Sequence, residues 1–215
     1  MQTDSSAMSA LLDGYHRFRE TGYSAEHERW EQLANGQSPK TMVISCSDSR
    51  VDPAQIFDVA PGELFVVRNV AALVPPFETT PGRHGVSAAL EFAIQFLKVE
   101  QVVVLGHGMC GGCQAALTQN LHGNAPGEGG FVAKWIDMLD EVRDPIATAH
   151  GTTGRVAERA MELAAVKVSL QNLRTFPCVQ EKEAQGDLTL RGAYFAISDG
   201  VLHLLDEDSG DFGPA

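Results

Sequence analysis

Two short segments carry side chains that can bind a metal or handle protons: Cys46-Ser47-Asp48-Ser49-Arg50 and Gly106-His107-Gly108-Met109-Cys110-Gly111-Gly112. Cys46, His107 and Cys110 form a nitrogen and sulfur set suited to zinc. Thiolate and imidazole match the borderline softness of that ion, with Zn–S of about 2.3 Å and Zn–N of about 2.0–2.1 Å. Three protein ligands leave one of four tetrahedral positions open, which marks a catalytic rather than a structural site. His107 and Cys110 are spaced to chelate one ion around a turn into a helix, and Gly111 and Gly112 let that turn bend. A helix N-terminus there favours an ionised sulfur at Cys110.

Asp48 and Arg50 lie two apart beside Cys46, so in an extended segment both point to one side. A guanidinium can grip a carboxylate through two bonds and hold it ionised. Two readings stay open: the pair aims Asp48 at a metal-bound water, or an unpaired Asp48 takes the fourth position itself and shuts the site. The second segment also spells Gly106-x-Gly108-x-x-Gly111, a dinucleotide fingerprint, with Glu128 near the spacing of a ribose-binding acid. Against it, the motif follows the third apolar run, Glu128 sits in a glycine-rich loop, and phosphate binding has no use for His107 and Cys110. Cys110 and Cys113 form a C-x-x-C pair without a thioredoxin-like context, and Cys113 and Cys178 read as core. His84 is at most a proton relay, and the remaining histidines stand alone.

The elements that must carry these segments are legible as apolar runs. Met42-Val43-Ile44, Leu64-Phe65-Val66-Val67 and Val102-Val103-Val104-Leu105 do not alternate with polar residues, as expected of parallel strands covered on both faces. Both reactive segments follow such runs directly, at the sheet edge where open α/β folds build sites. Helical stripes run through Val86–Leu97, Phe131–Val142 and Val156–Leu173. In the tail, Ser198-Asp199-Gly200 between Leu188–Ile197 and Val201–Leu205 signals a hairpin. The expected fold is α/β: a mostly parallel central sheet with flanking helices and an antiparallel edge strand. Residues 7–34 read as helical with a break at Gly22, giving an N-terminal helical arm over 1–35 and one α/β domain over 36–215. Gly123–Gly130, with four glycines and a proline, is expected to hold neither helix nor strand.

Composition narrows the function. The 215 residues carry a formal charge of -12, which repels phosphate backbones and anionic lipid, so neither nucleic acid nor membrane is an expected partner. No apolar run approaches the ~20 residues of a membrane helix, and the start of the chain lacks signal-peptide character, so the cytoplasm is the expected compartment. Thiols stay reduced there, which suits cysteines acting as ligands.

At these residues the chain resembles the β-class carbonic anhydrases. The resemblance is carried by Cys46-Ser-Asp48-Ser-Arg50 and Gly106-His107-x-x-Cys110-Gly-Gly, joined by Pro61-Gly62-Glu63 and Val67-Arg68-Asn69. It implies one zinc per subunit on Cys46, His107 and Cys110, with Asp48 and Arg50 as a catalytic dyad. It implies reversible hydration of CO2 to bicarbonate and a proton by attack of zinc-bound hydroxide. Gln37 matches a glutamine that hydrogen-bonds substrate in the plant-like subgroup, and with Val74-Pro75-Pro76 it points to that constitutively open subgroup. Phe65, Val70, Phe92 and Gly111 match the substrate pocket, although Phe92 stands where many members carry tyrosine and Gly108 where serine or threonine is common. The family site lies at a dimer interface, so a homodimer or homotetramer is implied, with the helical arm as an intersubunit element. A hydrolase of CS2 or COS on the same scaffold, and a nucleotide-binding oxidoreductase, are the alternative activities.

Overall fold

An apolar run without alternation needs cover on both faces, and in the computed structural model, which describes residues 4–215, the first such run has it. β1 (Thr41–Cys46) lies between β2 (Leu64–Asn69) and β3 (Gln101–His107), and Met42, Val43 and Ile44 are fully buried. Met42 and Ile44 join one core cluster with Val102, Val104 and Leu170, while Val43 joins Val103, Leu105 and Ala193 on the opposite face. β4 (Thr189–Ala196), β5 (Val201–Leu205) and β6 (Phe212–Pro214) complete a six-stranded sheet of order β2-β1-β3-β4-β5-β6. The first four strands are mutually parallel, whereas β5 and β6 run antiparallel to their neighbours. The antiparallel edge is therefore two strands wide, because residues after the tail hairpin turn back onto β5. The hairpin itself uses four residues, Ile197 to Gly200, with Gly200 at positive φ and Asp199 accepting from the Val201 amide.

The chain divides into two compact units, Met1–Gln37 and Ser38–Ala215. The first contains α1 (Asp4–Phe18), a wider turn over Arg19–Tyr23 at Gly22, and α2 (His27–Leu33). Phe18, Tyr23 and Trp30 pack ring on ring within it, with centroids 5.7–6.4 Å apart. Leu11, Leu12 and Tyr15 stay exposed.

In the second unit, helices α3 (Pro53–Ile56), α4 (Gly85–Glu91), α5 (Gly111–Thr118), α6 (Gly130–Ile136), α7 (Asp140–His150), α8 (Arg155–Leu173) and α9 (Pro177–Gln185) flank the sheet. The Phe131–Val142 stripe is not one helix but α6, a tight turn over Asp137–Leu139, and α7, whose opening acids Asp140 and Glu141 suit a helix N-terminus. Gly130 opens α6, so the glycine-rich stretch ends one residue earlier than its composition suggests. α8 is the central support, with nine buried residues, of which Val166, Leu170 and Leu173 join the Met42 cluster and Ala157, Met161, Ala165 and Val168 join the cluster around Cys46 and Cys110.

Candidate metal centre

Parallel pairing of β1 with β3 puts Ser45 beside Leu105, so the next residues of each strand emerge together at the sheet's carboxyl edge. Cys46 ends β1, His107 ends β3, and Cys110 stands at the N-cap of α5. Their donor atoms all lie within 4.8 Å of one another, and the two sulfurs are 4.0 Å apart, too far for a disulfide. All three side chains are buried, none more than 6% exposed. Met109, at φ 57, turns the loop so that Cys110 comes back toward Cys46.

The donor chemistry fits a zinc ion. His107 Nδ1 donates to the Gly108 carbonyl at 2.9 Å, which leaves the Nε2 lone pair free, and Nε2 is buried with no hydrogen-bond partner. An orphaned buried nitrogen is costly in a finished core and natural in a ligand set awaiting its ion. Without the ion, the Cys46 thiol is pushed up to about 12, first by its hydrogen bond with Cys110 and then by burial. Cys110 is also pushed up to about 12, first by the neighbouring Cys113 thiol. Two buried sulfurs that resist ionisation alone are stabilised as thiolates by a divalent cation.

Asp48 lies outside this cluster because Arg50 holds it. Arg50 Nε donates to Oδ1 at 2.9 Å and Nη2 to Oδ2 at 2.7 Å, and the Arg50 amide adds a third bond to Oδ1 at 3.0 Å. That grip holds the Asp48 carboxyl well below the usual carboxylate range. The guanidinium also donates to the Met109 carbonyl at 3.0 Å, tying the two reactive segments together.

The residue that braces the first segment appears in the sequence reading only as part of the Val67-Arg68-Asn69 motif, with no role assigned. Arg68, on β2, donates to the carbonyls of Cys46 (3.0 Å), Asp48 (2.7 Å) and Val51 (3.2 Å) and pairs with Asp52 at 3.1 Å. A charged residue directly after an apolar strand run was the available signal. Trp135 was missed as well: its indole donates to the Val70 carbonyl at 2.9 Å across the fold.

Of the pocket residues, Val70 packs in the same core cluster as Cys46 and Cys110. Ala71 and Ala72 follow it at positive φ, a strained turn bracketed by Asn69, whose side chain bonds both the amide and the carbonyl of Leu73. A Cβ at Gly112 would sit 2.7 Å from Val70 Cγ1, so only glycine lets α5 meet this wall. Gly111 faces open space. The Phe65 and Phe92 rings lie tilted with centroids 5.9 Å apart; Phe65 packs against a different core cluster from that of Cys46 and Cys110, and Phe92 is exposed. Gln37 is exposed at the end of the first unit.

The first two glycines of the dinucleotide fingerprint, Gly106 and Gly108, make room for protein rather than phosphate. A Cβ at Gly106 would lie 2.6 Å from Val166, and one at Gly108 would lie 3.0 Å from the Tyr194 hydroxyl.

Residues 41–202 match the carbonic anhydrase family model. The β-carbonic anhydrase CcaA superposes with a TM-score of 0.89 at 31% identity, covering 98% of this chain and all of the other. The chain belongs to the β-carbonic anhydrases. A carbonic anhydrase of Synechocystis is 33% identical over 95% of this chain and 73% of its own length. The chloroplastic β-carbonic anhydrase 5 of Arabidopsis thaliana is 33% identical over 92% of this chain, which spans 64% of that relative. A tetrameric β-carbonic anhydrase from Sordaria macrospora superposes at a TM-score of 0.82, with 27% identity over 93% of this chain and 96% of its own. β-Carbonic anhydrases are zinc enzymes, and Cys46, His107 and Cys110 are the cluster able to hold the metal among the described residues. No helix of the described residues is long and apolar enough to cross a membrane.

Proposed function

We infer that this β-carbonic anhydrase catalyses the reversible hydration of CO2 to bicarbonate and a proton. The observation that carries the reading is a three-ligand cluster at the sheet edge whose neighbouring aspartate is withheld from it by an arginine. Cys46, His107 and Cys110 would hold zinc, whose Lewis acidity would lower the pKa of a water from 15.7 toward about 7.

The chain's own residues do the rest. Asp48 Oδ2 accepts one bond from Arg50 and keeps a lone pair free. It receives the hydrogen bond of the attacking water and turns that water's lone pair toward the carbon of CO2. Because Arg50 keeps Asp48 ionised at neutral pH, Asp48 orients the water without retaining its proton, which passes to solvent. Val70, held in place through Trp135, forms an apolar wall that favours uncharged CO2 over water. The resemblance assigns Gln37 the role of hydrogen-bonding substrate, and Gln37→Ala is expected to lower turnover more than metal content. The engagement of Asp48 by Arg50 supports the open, plant-like reading.

A second copy of the chain completes the pocket in this reading. Among the described residues β2 is a sheet edge, and Phe65, Phe92 and Phe96 form an aromatic row, Phe92 stacked on Phe96, with both of these exposed. Such a face suits a homodimer or homotetramer. A site built on two thiols suits a reducing compartment such as the cytoplasm.

Zinc analysis with stopped-flow CO2 hydration tests the reading, with CS2 and COS as alternative substrates. One zinc per chain with fast hydration is expected; zinc-loaded protein without hydratase activity overturns it. Cys46→Ala is expected to lose both metal and turnover.

A further inference from the structure

Against the backbone of one metal ligand, a carboxylate is buried that the mechanism above does not use. Glu162 of α8 is 2% exposed and reaches across the fold to the ligand loop. Its Oε1 accepts the backbone amide of Cys110 at 3.3 Å, and its Oε2 accepts the Tyr194 hydroxyl at 2.8 Å. Arg155 approaches Oε1 to 3.5 Å from the surface. Tyr194 is itself buried on β4, with the Arg159 guanidinium 4.7 Å from the centre of its ring. Its hydroxyl lies where a Cβ of residue 108 would nearly touch it, so Gly108 is the residue that leaves the link room.

Cys110 caps α5, and no side chain of its own segment satisfies the start of that helix. The amide of a metal-ligating residue is thus tethered by a group far away in sequence. Rotating that amide would swing the Cys110 sulfur relative to Cys46 and His107, because the three donors come from separate elements. A buried carboxylate with three partners is a stiff anchor, and stiff outer partners set how a ligand meets its metal.

We propose that Glu162, locked by Tyr194, is a positioning residue that fixes the presentation of the Cys110 sulfur to zinc. The proposal rests on the zinc-site reading given above. Glu162 touches neither substrate nor metal; it acts through the Cys110 backbone.

The full-length chain carrying Glu162→Ala, Glu162→Gln or Tyr194→Phe tests it. Zinc affinity is read by competition with a chromogenic chelator, and ligand geometry by the thiolate-to-cobalt charge-transfer band of the Co2+-substituted protein. Glu162→Ala is expected to weaken zinc binding by about 10- to 100-fold and to shift the cobalt band. Glu162→Gln is expected to stay close to the parent on both, since its amide oxygen accepts from Cys110 while its NH2 donates to the Tyr194 oxygen. Parental affinity and an unmoved band in Glu162→Ala overturn the proposal, as does a Glu162→Gln variant as impaired as Glu162→Ala. A purely structural role would lower the melting temperature of the metal-free protein and leave the cobalt band in place, which also overturns it. Should Glu162→Ala not fold, Tyr194→Phe decides: a weakened site with a shifted band supports the anchor, and a parental site refutes it. If the parent chain itself takes up no zinc, the metal-site reading fails first and the proposal falls with it.

Discussion

Arg50 closes on both oxygens of Asp48, at 2.9 and 2.7 Å, and with the same guanidinium reaches the carbonyl of Met109 in the other ligand-bearing segment. One side chain therefore keeps the aspartate out of the metal cluster and joins the two halves of the site. A carboxylate so held is an acceptor of fixed direction, which a water needs if it is to attack one carbon.

Arg50→Gln should retain zinc and lose about 100-fold in turnover, because misplacing an orienting group by about 1 Å costs that much. The sign of the pH effect follows from the depressed Asp48 pKa. The pair's stabilisation is present above the unfolded carboxyl pKa of about 3.9 and is lost as pH falls through the folded value. The variant should be less stable than the parent at neutral pH and converge on it in strong acid. Its acid limb of activity should also move upward, as Asp48 returns toward an ordinary pKa. Denaturant unfolding and rate profiles across pH check both.

Loading the metal-free protein should expel protons. Cys46 and Cys110 are both pushed up to about 12, so near pH 8 each enters the reaction as a thiol and leaves it as a thiolate. Apparent zinc affinity should climb steeply with pH, by roughly two powers of ten per unit for two thiols. Calorimetric titration in buffers of different ionisation heat counts the protons directly. Proton-neutral binding would contradict the assignment of both sulfurs.

Arg68→Lys should damage the site more than its charge conservation suggests. An ammonium is a point donor and cannot span three carbonyls and Asp52 as the guanidinium fork does. We expect a loss of about 2 kcal/mol in stability as carbonyls of the Cys46–Val51 loop lose partners. Urea unfolding measures it, and zinc-loaded turnover should fall alongside.

Gly106→Ala should be costly and partly reversible. The new Cβ would lie 2.6 Å from Val166 Cγ2, and overpacking of this kind costs about 1–3 kcal/mol. Val166→Ala clears that space, so the double variant should be more stable than the sum of the single effects implies. A double-mutant cycle by chemical denaturation measures the coupling. Additive effects would mean that α8 does not press on the end of β3.

The kinds of atom in the site were readable from the chain alone. Thiols, imidazole, a carboxylate and a guanidinium next to two strand-like runs specify a metal and an acceptor, because ligand preference is a property of functional groups. Unbroken apolar runs also announced a covered parallel sheet, since each such residue must be buried whichever face it takes. What the tertiary structure decided was adjacency. Cys46 and His107 meet because β1 and β3 are neighbours, a strand order no local pattern encodes. Arg68 reads as one charge in an apolar stretch until β2 is laid beside β1, and Glu162 as one polar residue on a helix until α8 is packed on the end of β3. The tail misled for the same reason: β6 exists only because β5 offers it an edge. Chemistry belongs to residues, but the distances that make it work belong to long-range packing, which settles only when every face has found its cover.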